Sequence, residues 1–500
     1  MNIGDIYSFY NYRIESYNAC QVTGFSESGS TNTFSNPSIL LTDWKSDHPP
    51  SISDFHLLTP FVNKNGVVHK FADGGKPPKF SFCGNYPVLF TDSEPNIYGR
   101  WTDGYEFFAR EIWESIPKNL REAREKAENI ATGQMRIPRI HEDEILNLFE
   151  DFESFSNFSG YPLLSEIHFH TYTHDLHEYL KCHPFIYKLT LDAQQSELID
   201  FRGSYLTEIT INAKGVKEIL LNDIISNLCI SGHNDYFNGT IENDLFINDP
   251  NNGKFLNITI DSDMQLPKGI EHLHKLNIVD IFNTDLSKLI ENHNEIEVLR
   301  IWGRPGVIKN ISSISKLKKL RWITTYDIFG FSGEDFPKPE ELPELSSLWM
   351  TSLPIEAAKT IKKNYNSLEI TKDFNLEISK ARKQEWLTQN FENPFSNWYD
   401  DSIMPDTYIA KATGNYKKIR AELMKLSKST ENPQLYCESI VRQYINVFNK
   451  MEQKLGVIDT VYREHIINVL RKSINDVINA TQIQLDAEAL IEFCDSIREF

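Results

Sequence analysis

Histidines form the densest cluster of chemistry-bearing side chains: His168, His170, His174, His177 and His183 lie in one short stretch. His168 and His170 stand at i and i+2 on a predicted strand and so share a face, which is how an HxH pair can hold a metal. No third ligand follows at a defined spacing and no HExxH occurs, so the cluster is read as a solvated polar face with no metal. Phosphate cradling would need a Gly-x4-Gly-Lys-Ser/Thr loop, and the chain has none. Gly330-Phe331-Ser332-Gly333 and Gly303-Arg304-Pro305-Gly306 lack the strand-turn-helix context of a dinucleotide loop or a nucleophile elbow. Cys437 and Cys494 fall on predicted helices, as small apolar fillers rather than nucleophiles. Carboxylate pairs such as Asp400-Asp401 and Asp261/Asp263 could act as acid and base, yet a chain with 70 Asp and Glu produces such pairs by chance. The expectation is a protein that is not an enzyme and needs no cofactor.

Binding chemistry is better represented, and its placement depends on a repeat. The pattern apolar-x-x-apolar-x-apolar occurs ten times, from Leu164/Ile167/Phe169 to Tyr365/Leu368/Ile370. It passes through Phe255/Ile258/Ile260, Leu317/Leu320/Trp322 and Leu345/Leu348/Met350, with a partial copy at Leu245-Phe246-Ile247. Seven of the nine intervals between copies are 18–23 residues, close to the roughly 20–29 of leucine-rich repeats. On these residues the stretch 160–375 resembles a leucine-rich-repeat solenoid, which implies one parallel strand per repeat and a concave sheet. The Asn or Cys usual at the ninth position is replaced by Tyr172, Gln194, Lys214, Ile281, Arg304 and Leu353, among others. The solenoid is therefore expected to be irregular, with breaks near 231–254 and 327–344.

On each repeat strand the residues between the apolar anchors point outward. In the first half these are polar and acidic, Glu208 and Asp261 among them. In the second half they are Val298, Arg300, Trp302, Lys319, Arg321, Ile323, Ser347, Trp349 and Thr351, of which Arg300, Trp302, Lys319, Arg321 and Trp349 give the Trp/Arg mixture enriched at binding hot spots. With Glu208 and Asp261, those five are the predicted partner-binding set. Trp302 and Trp349 either anchor a partner or pack beneath a neighbouring loop or the C-terminal helices.

The flanks complete an α+β chain of three predicted parts. Residues 1–150 read as a β-rich domain: short aromatic stretches (Ile6–Tyr10, Cys20–Phe25, Ile39–Leu41, Phe80–Phe82) are punctuated by Gly, Asn, Ser and Pro. From Asp103 the period becomes helical, with Phe108, Ile112 and Ile116 on one face. Gly133–Pro138 and the acids Glu142, Asp143 and Glu144 read as a surface connection to the repeats at 160–375. Residues 376–500 carry helical stripes, such as Ile440/Tyr444/Phe448/Met451 and Ile467/Leu470/Ile474/Val477, and are expected to form a helical domain capping the open end of the repeats.

Composition limits the partners. A net charge of −19 repels polyphosphate and anionic lipid, so neither nucleic acid nor a membrane is expected. Six cysteines without a CxxC read as reduced, and with no apolar run of about 18 residues and no basic-then-apolar start the expected location is cytoplasmic. Gly4-Asp5-Ile6-Tyr7-Ser8-Phe9 followed by Tyr17–Phe25 resembles the opening hairpin of small bacterial immunity proteins that neutralise polymorphic toxins. Phe391–Asp401 and Tyr444–Asn449 look like segments of bacterial leucine-rich-repeat proteins encoded beside such toxins. The resemblance implies an immunity protein that inhibits its cognate toxin, a basic protein domain, by steric blocking. The alternatives are a leucine-rich-repeat effector or defence sensor that recognises a foreign protein, and an enzyme housed in the β-rich domain with the repeats as substrate reader.

Overall fold

The computed structural model describes residues 1–26, 36–63, 66–73, 76, 79–91, 95, 98–102, 104–130, 139–141, 161–192, 196–230, 245–262, 265–371, 374–383, 386, 390, 393–396, 398, 403–426, 430–481 and 483–500. The predicted surface connection at 133–138 and 142–144 lies outside them. The fold is mixed α and β with a helical C-terminal region. It divides into two compact units, one of residues 1–303 and 307–382, the other of 383–500 with 304–306.

The first unit opens with a six-stranded sheet in the order Ser81–Asn85, Asp5–Asn11, Ser16–Phe25, Pro37–Ser46, His69–Asp73, Tyr98–Arg100. Its pairings are antiparallel except the last, which is parallel. Aromatics dominate its core: Phe9 stacks on Phe80 and Phe61 meets Phe107 at a tilt, each pair with ring centroids 4.5 Å apart. Phe107 belongs to the helix Tyr105–Ser115 and so holds that helix against the sheet. The chain leaves this helix before Pro117, which lacks the N–H a continuing helix would use, and resumes as the helix Lys118–Ile130.

An eleven-stranded sheet follows, its strands in chain order from Arg139–His141 to Asn375–Ser379. Neighbouring strands pair in parallel, so each return of the chain adds one strand. Ile167, Leu189, Ile209, Leu228, Ile258 and Leu276 are level with one another and buried on the inner side. A backbone motif recurs at the strand entrances: the carbonyl before one strand accepts two N–H groups from the next return. Ser165, Tyr187, Thr207, His274, Glu297 and Arg321 all accept in this way. Between residues 188 and 275 the returns carry a second, three-stranded parallel sheet of Leu198–Asp200, Glu218–Leu220 and Phe246–Asn248.

The repeat reading needs four corrections. Leu245-Phe246-Ile247 lies in this second sheet, not the long one. In the fifth copy Leu256, not Phe255, enters the core, because the Arg13 guanidinium draws the Phe255 ring to itself, 4.6 Å from the ring centroid. In the eighth copy the anchors are Leu320, Ile323 and Thr325 rather than Leu317, Leu320 and Trp322. The last copy, Tyr365/Leu368/Ile370, falls on the helix Ile355–Thr371, and the final strand carries Leu376 and Ile378 instead. The strand Arg139–His141, within the span expected for the first domain, pairs with Glu166–Phe169 in the long sheet.

The six-stranded sheet and its helices rest on the strand entrances of the long sheet. Arg13 lies over the rings of Phe108 and Phe255 and donates to the Phe255 carbonyl at 2.8 Å, while the Lys254 ammonium sits 3.9 Å from the Tyr12 ring centroid. Farther along, Trp113 meets Phe185, and Arg124 covers Phe185 and donates to the Pro162 carbonyl. On the outer faces of the strands, Trp302 and Trp349 are exposed.

The second unit packs the helices Asp406–Leu423, Pro433–Leu455, Thr460–Thr481 and Ala487–Ile497 around one core of Tyr444, Phe448, Ile466, Leu470 and their neighbours. Asn432 caps the 23-residue helix by accepting from the Leu435 N–H, Pro433 follows at its first turn, and Gly456 ends it at φ +62°. The Tyr444 hydroxyl, fully buried, donates to the Ile466 carbonyl at 2.9 Å. Cys437 and Cys494 are buried in this core, and burial pushes their thiols up to about 11 and about 12. No helix among the described residues is long and apolar enough to cross a membrane.

Candidate functional site

Alternation along each strand of the long sheet puts one side chain in two on the outer face, and parallel pairing stacks those side chains into columns. The central column runs His168, Thr190, Thr210, Cys229, Thr259, Asn277 and on to Arg300. The entrance column runs Glu166, Lys188, Glu208, Asn227, Asn257, Lys275. The carbonyl of Glu297 takes the N–H groups of Arg321 and Trp322, as that of Arg321 takes those of Ser346 and Ser347. Trp322 is therefore level with Val298, Thr324 with Arg300 and Tyr326 with Trp302, and Thr324 is paired in turn with Trp349.

The first part of this face is a groove of about 430 Å³ running from Arg139 past Glu166, Lys188, Glu208 and Asn227 to Thr259. Charges alternate at its head. The Glu166 carboxylate takes the Arg139 guanidinium at 2.9 Å and the Lys188 ammonium at 3.4 Å. Glu208, one strand farther on, makes no ion pair and no side-chain hydrogen bond among the described residues. Beyond it lies an amide ladder: Asn257 donates to the Asn227 side-chain carbonyl at 3.0 Å, and Asn277 donates to that of Asn257 at 3.1 Å and to the Thr259 hydroxyl at 2.9 Å. Such a ladder fixes each amide and presents an uncharged polar floor.

The second part is aromatic. Trp302 and Trp349 are 49% and 43% exposed, too open to be packed beneath a loop. Trp302 leans on Tyr326 with centroids 6.4 Å apart. The indole N–H groups of Trp322 and Trp349 are held by Thr324 and Thr351 two residues on, each at 3.2 Å. Arg300 lies among them, half-buried, and makes no ion pair or hydrogen bond among the described residues. Burial pushes its pKa down from the ordinary arginine value, and no neighbouring carboxylate offsets that effect.

Of the seven predicted binding residues, Glu208, Arg300, Trp302 and Trp349 stand on this face. Asp261 ends its strand 8% exposed and is withdrawn from the surface. Lys319 sits in the turn three residues before its strand and reaches Glu295 at 3.2 Å. Arg321 immediately precedes its strand, its guanidinium largely covered and 3.9 Å from Glu297. Both displacements follow from the three-residue slip in the eighth copy, which also hid Trp322 and Tyr326. The alternation Trp322-Thr324-Tyr326 against Ile323-Thr325 is present in the sequence, but a threonine at the third anchor disguises it.

His168 is buried at the head of the groove, its ring 5.2 Å from that of His170. Among the described residues no three His, Cys, Asp or Glu are placed to hold a metal ion. Sulfur is present only as Cys229 along the groove, half-buried between Thr210 and Thr259. The arrangement offers paired and unpaired charges, a fixed amide floor and a cluster of open indoles, which together suit recognition of a polar chain. No protein-family model matches this sequence, and no curated protein and no solved structure matches it either.

Proposed function

We propose that this chain is a non-catalytic protein-binding protein, and that the outer face of its long parallel sheet is the recognition surface. The observation that carries this is the exposure of Trp302 and Trp349 beside the half-buried Arg300 on the outer face of the sheet. Large indoles, those of Trp322 and Trp349 held by Thr324 and Thr351, with a guanidinium on the adjoining strand, are the side chains that most often dominate binding energy when a partner covers them. Strands in chain order, one per return, with the same two-bond entrance motif, support reading residues 160–375 as an irregular leucine-rich-repeat solenoid. That architecture offers a long surface to another protein. The finer reading is an immunity protein that covers the active site of a cognate bacterial toxin. Net charge of −19 would steer a basic toxin toward it, and steric cover needs no catalytic group here.

The test is affinity capture from the source cells with the full chain, alongside Trp302→Ala and Trp349→Ala, scored by mass spectrometry. One stoichiometric protein lost in both variants is the expected result, and coexpression of the chain should then relieve that protein's toxicity. A partner retained by both variants removes the sheet face from consideration.

A further inference from the structure

Charge placement on the open face says more about the partner than its aromatic content does. Three charged side chains there have no counter-charge among the described residues: Glu208 in the groove, Arg300 among the indoles, and Glu377 on the last strand, level with Trp349. Glu208 and Arg300 are half-buried and have opposite signs, whereas Glu377 is exposed. Every other charge close to them is engaged. Lys188, across from Glu208, is held by Glu166, and Arg321, beyond Arg300, is directed at Glu297. A half-buried charge without a partner weakens the fold that carries it, and the cost is recovered when a bound group supplies the opposite charge.

Their separation follows from the sheet. Glu208, Asn227, Asn257, Lys275 and Val298 are successive members of the entrance column, and Arg300 is two residues along the strand from Val298. Four strand spacings of about 4.8 Å with that offset give about 20 Å, which an extended chain rising about 3.3 Å per residue spans in about six residues. The floor between them carries the uncharged ladder Asn227–Asn257–Asn277, with Lys275 beside it on the strand after Asn257. The groove's shape agrees. Its 430 Å³ reaches across six strands from Arg139 to Thr259, about 24 Å at the same spacing, so it is a slot for one chain rather than a bowl for a compact ligand.

We infer that the open face takes an extended segment of a partner protein that carries a basic side chain and an acidic side chain about six residues apart, the base seated on Glu208 and the acid on Arg300. This rests on the reading of the face as a protein-binding surface. Trp302 and Trp349 then cover the acidic end, where they exclude water from the Arg300 pair and strengthen it.

A phage-displayed library of random dodecamer peptides, panned on the full-length protein, tests this directly. The expected result is enrichment of peptides with a Lys or Arg five to seven positions from an Asp or Glu. A synthetic copy of the best peptide should lose at least tenfold in affinity on Glu208→Gln and on Arg300→Gln, both variants retaining the wild-type circular dichroism spectrum. Glu208→Lys should select peptides acidic at both positions. Peptides that depend on Trp349 yet lack the charge pair, or that bind Arg300→Gln undiminished, overturn the inference and leave the face as a recognition surface. If no enriched peptide is lost on Trp302→Ala or Trp349→Ala, the reading of the face fails and takes the inference with it.

Discussion

Asp327 provides a quantitative test of how the last returns of the long sheet are held. It is the sixth residue of the strand Trp322–Phe329, 3% exposed, with φ +51°, and its Oδ1 has no hydrogen-bond partner among the described residues. Ser352 and Lys380, each just past the next two strands, are also left-handed, at φ +59° and +49°. The Arg382 Nε donates to the Ser352 hydroxyl at 3.2 Å, and that serine in turn bonds Asp327. Burial outweighs these favourable neighbours and pushes the Asp327 carboxyl from 3.8 up to about 6. Its native form thus holds a proton that the unfolded form has released. Stability contributed by this group is complete below pH 4 and falls as pH rises through about 6. A carboxyl raised that far loses about 3 kcal/mol between those limits. Asparagine tolerates the left-handed backbone and removes the charge, so Asp327→Asn isolates the titration. The stability of the variant relative to wild type should rise by about 3 kcal/mol from pH 4 to pH 8 and then level off. Urea unfolding followed by tryptophan fluorescence at five pH values measures it, because groups common to both proteins cancel in the difference. A difference that is flat with pH, or that falls as pH rises, would show that Arg382 and Lys380 hold the carboxylate charged, and the argument from burial would be wrong.

Two further perturbations probe the repeat itself. Leu276→Ala removes a fully buried anchor level with Ile258 and Leu299 and should cost about 2–5 kcal/mol in the same urea assay; a loss under 1 kcal/mol would mean that the sheet collapses onto the gap. Gly269 stands at φ +86°, and a Cβ there would overlap the Ile247 carbonyl oxygen, so Gly269→Ala should cost more than the roughly 1 kcal/mol of the backbone conformation alone. A fully wild-type melting temperature for Gly269→Ala would show that the returns at 247 and 268 are not pressed together as described.

The sheet was legible where the apolar anchors are Leu and Ile two residues apart, because burial on one side of a strand leaves no other solution. Ile209 and Ile211, or Leu276 and Ile278, admit one register only. Reading failed where the buried residue is not aliphatic or the exposed one is apolar. Thr325 occupies an inner position at 1% exposure while Trp322 stands outside, so counting apolar side chains slid the copy by three residues and carried Lys319 and Arg321 onto a face they do not occupy. The strands Leu198–Asp200 and Glu218–Leu220 are three residues each, too short for alternation to declare itself. Tyr365 shows the converse: it is fully buried with its hydroxyl donating to the Pro337 carbonyl at 2.8 Å, but on a helix. A tyrosine and two aliphatic residues at that spacing satisfy the inner side of a strand and one face of a helix equally.

The outer face was half legible for a related reason. Trp302, Trp349, Arg300 and Glu208 stand on it as their spacing implies, because each lies beside a Leu or Ile anchor whose inward direction is unambiguous. What composition obscured is the pattern of charge. An excess of acid over the whole chain argues for a basic partner, yet at the surface that excess is locally cancelled: Glu166 is taken by Arg139 and Lys188, Glu295 by Lys319, and Glu297 faces Arg321. Net charge acts over the distance at which partners approach, and salt screens it within about 10 Å. Contact is decided by the charges left over after local pairing, and on this face the half-buried ones are the Glu208 carboxylate and the Arg300 guanidinium. A partner could therefore be drawn in as a cation and still be recognised through a segment that carries both signs.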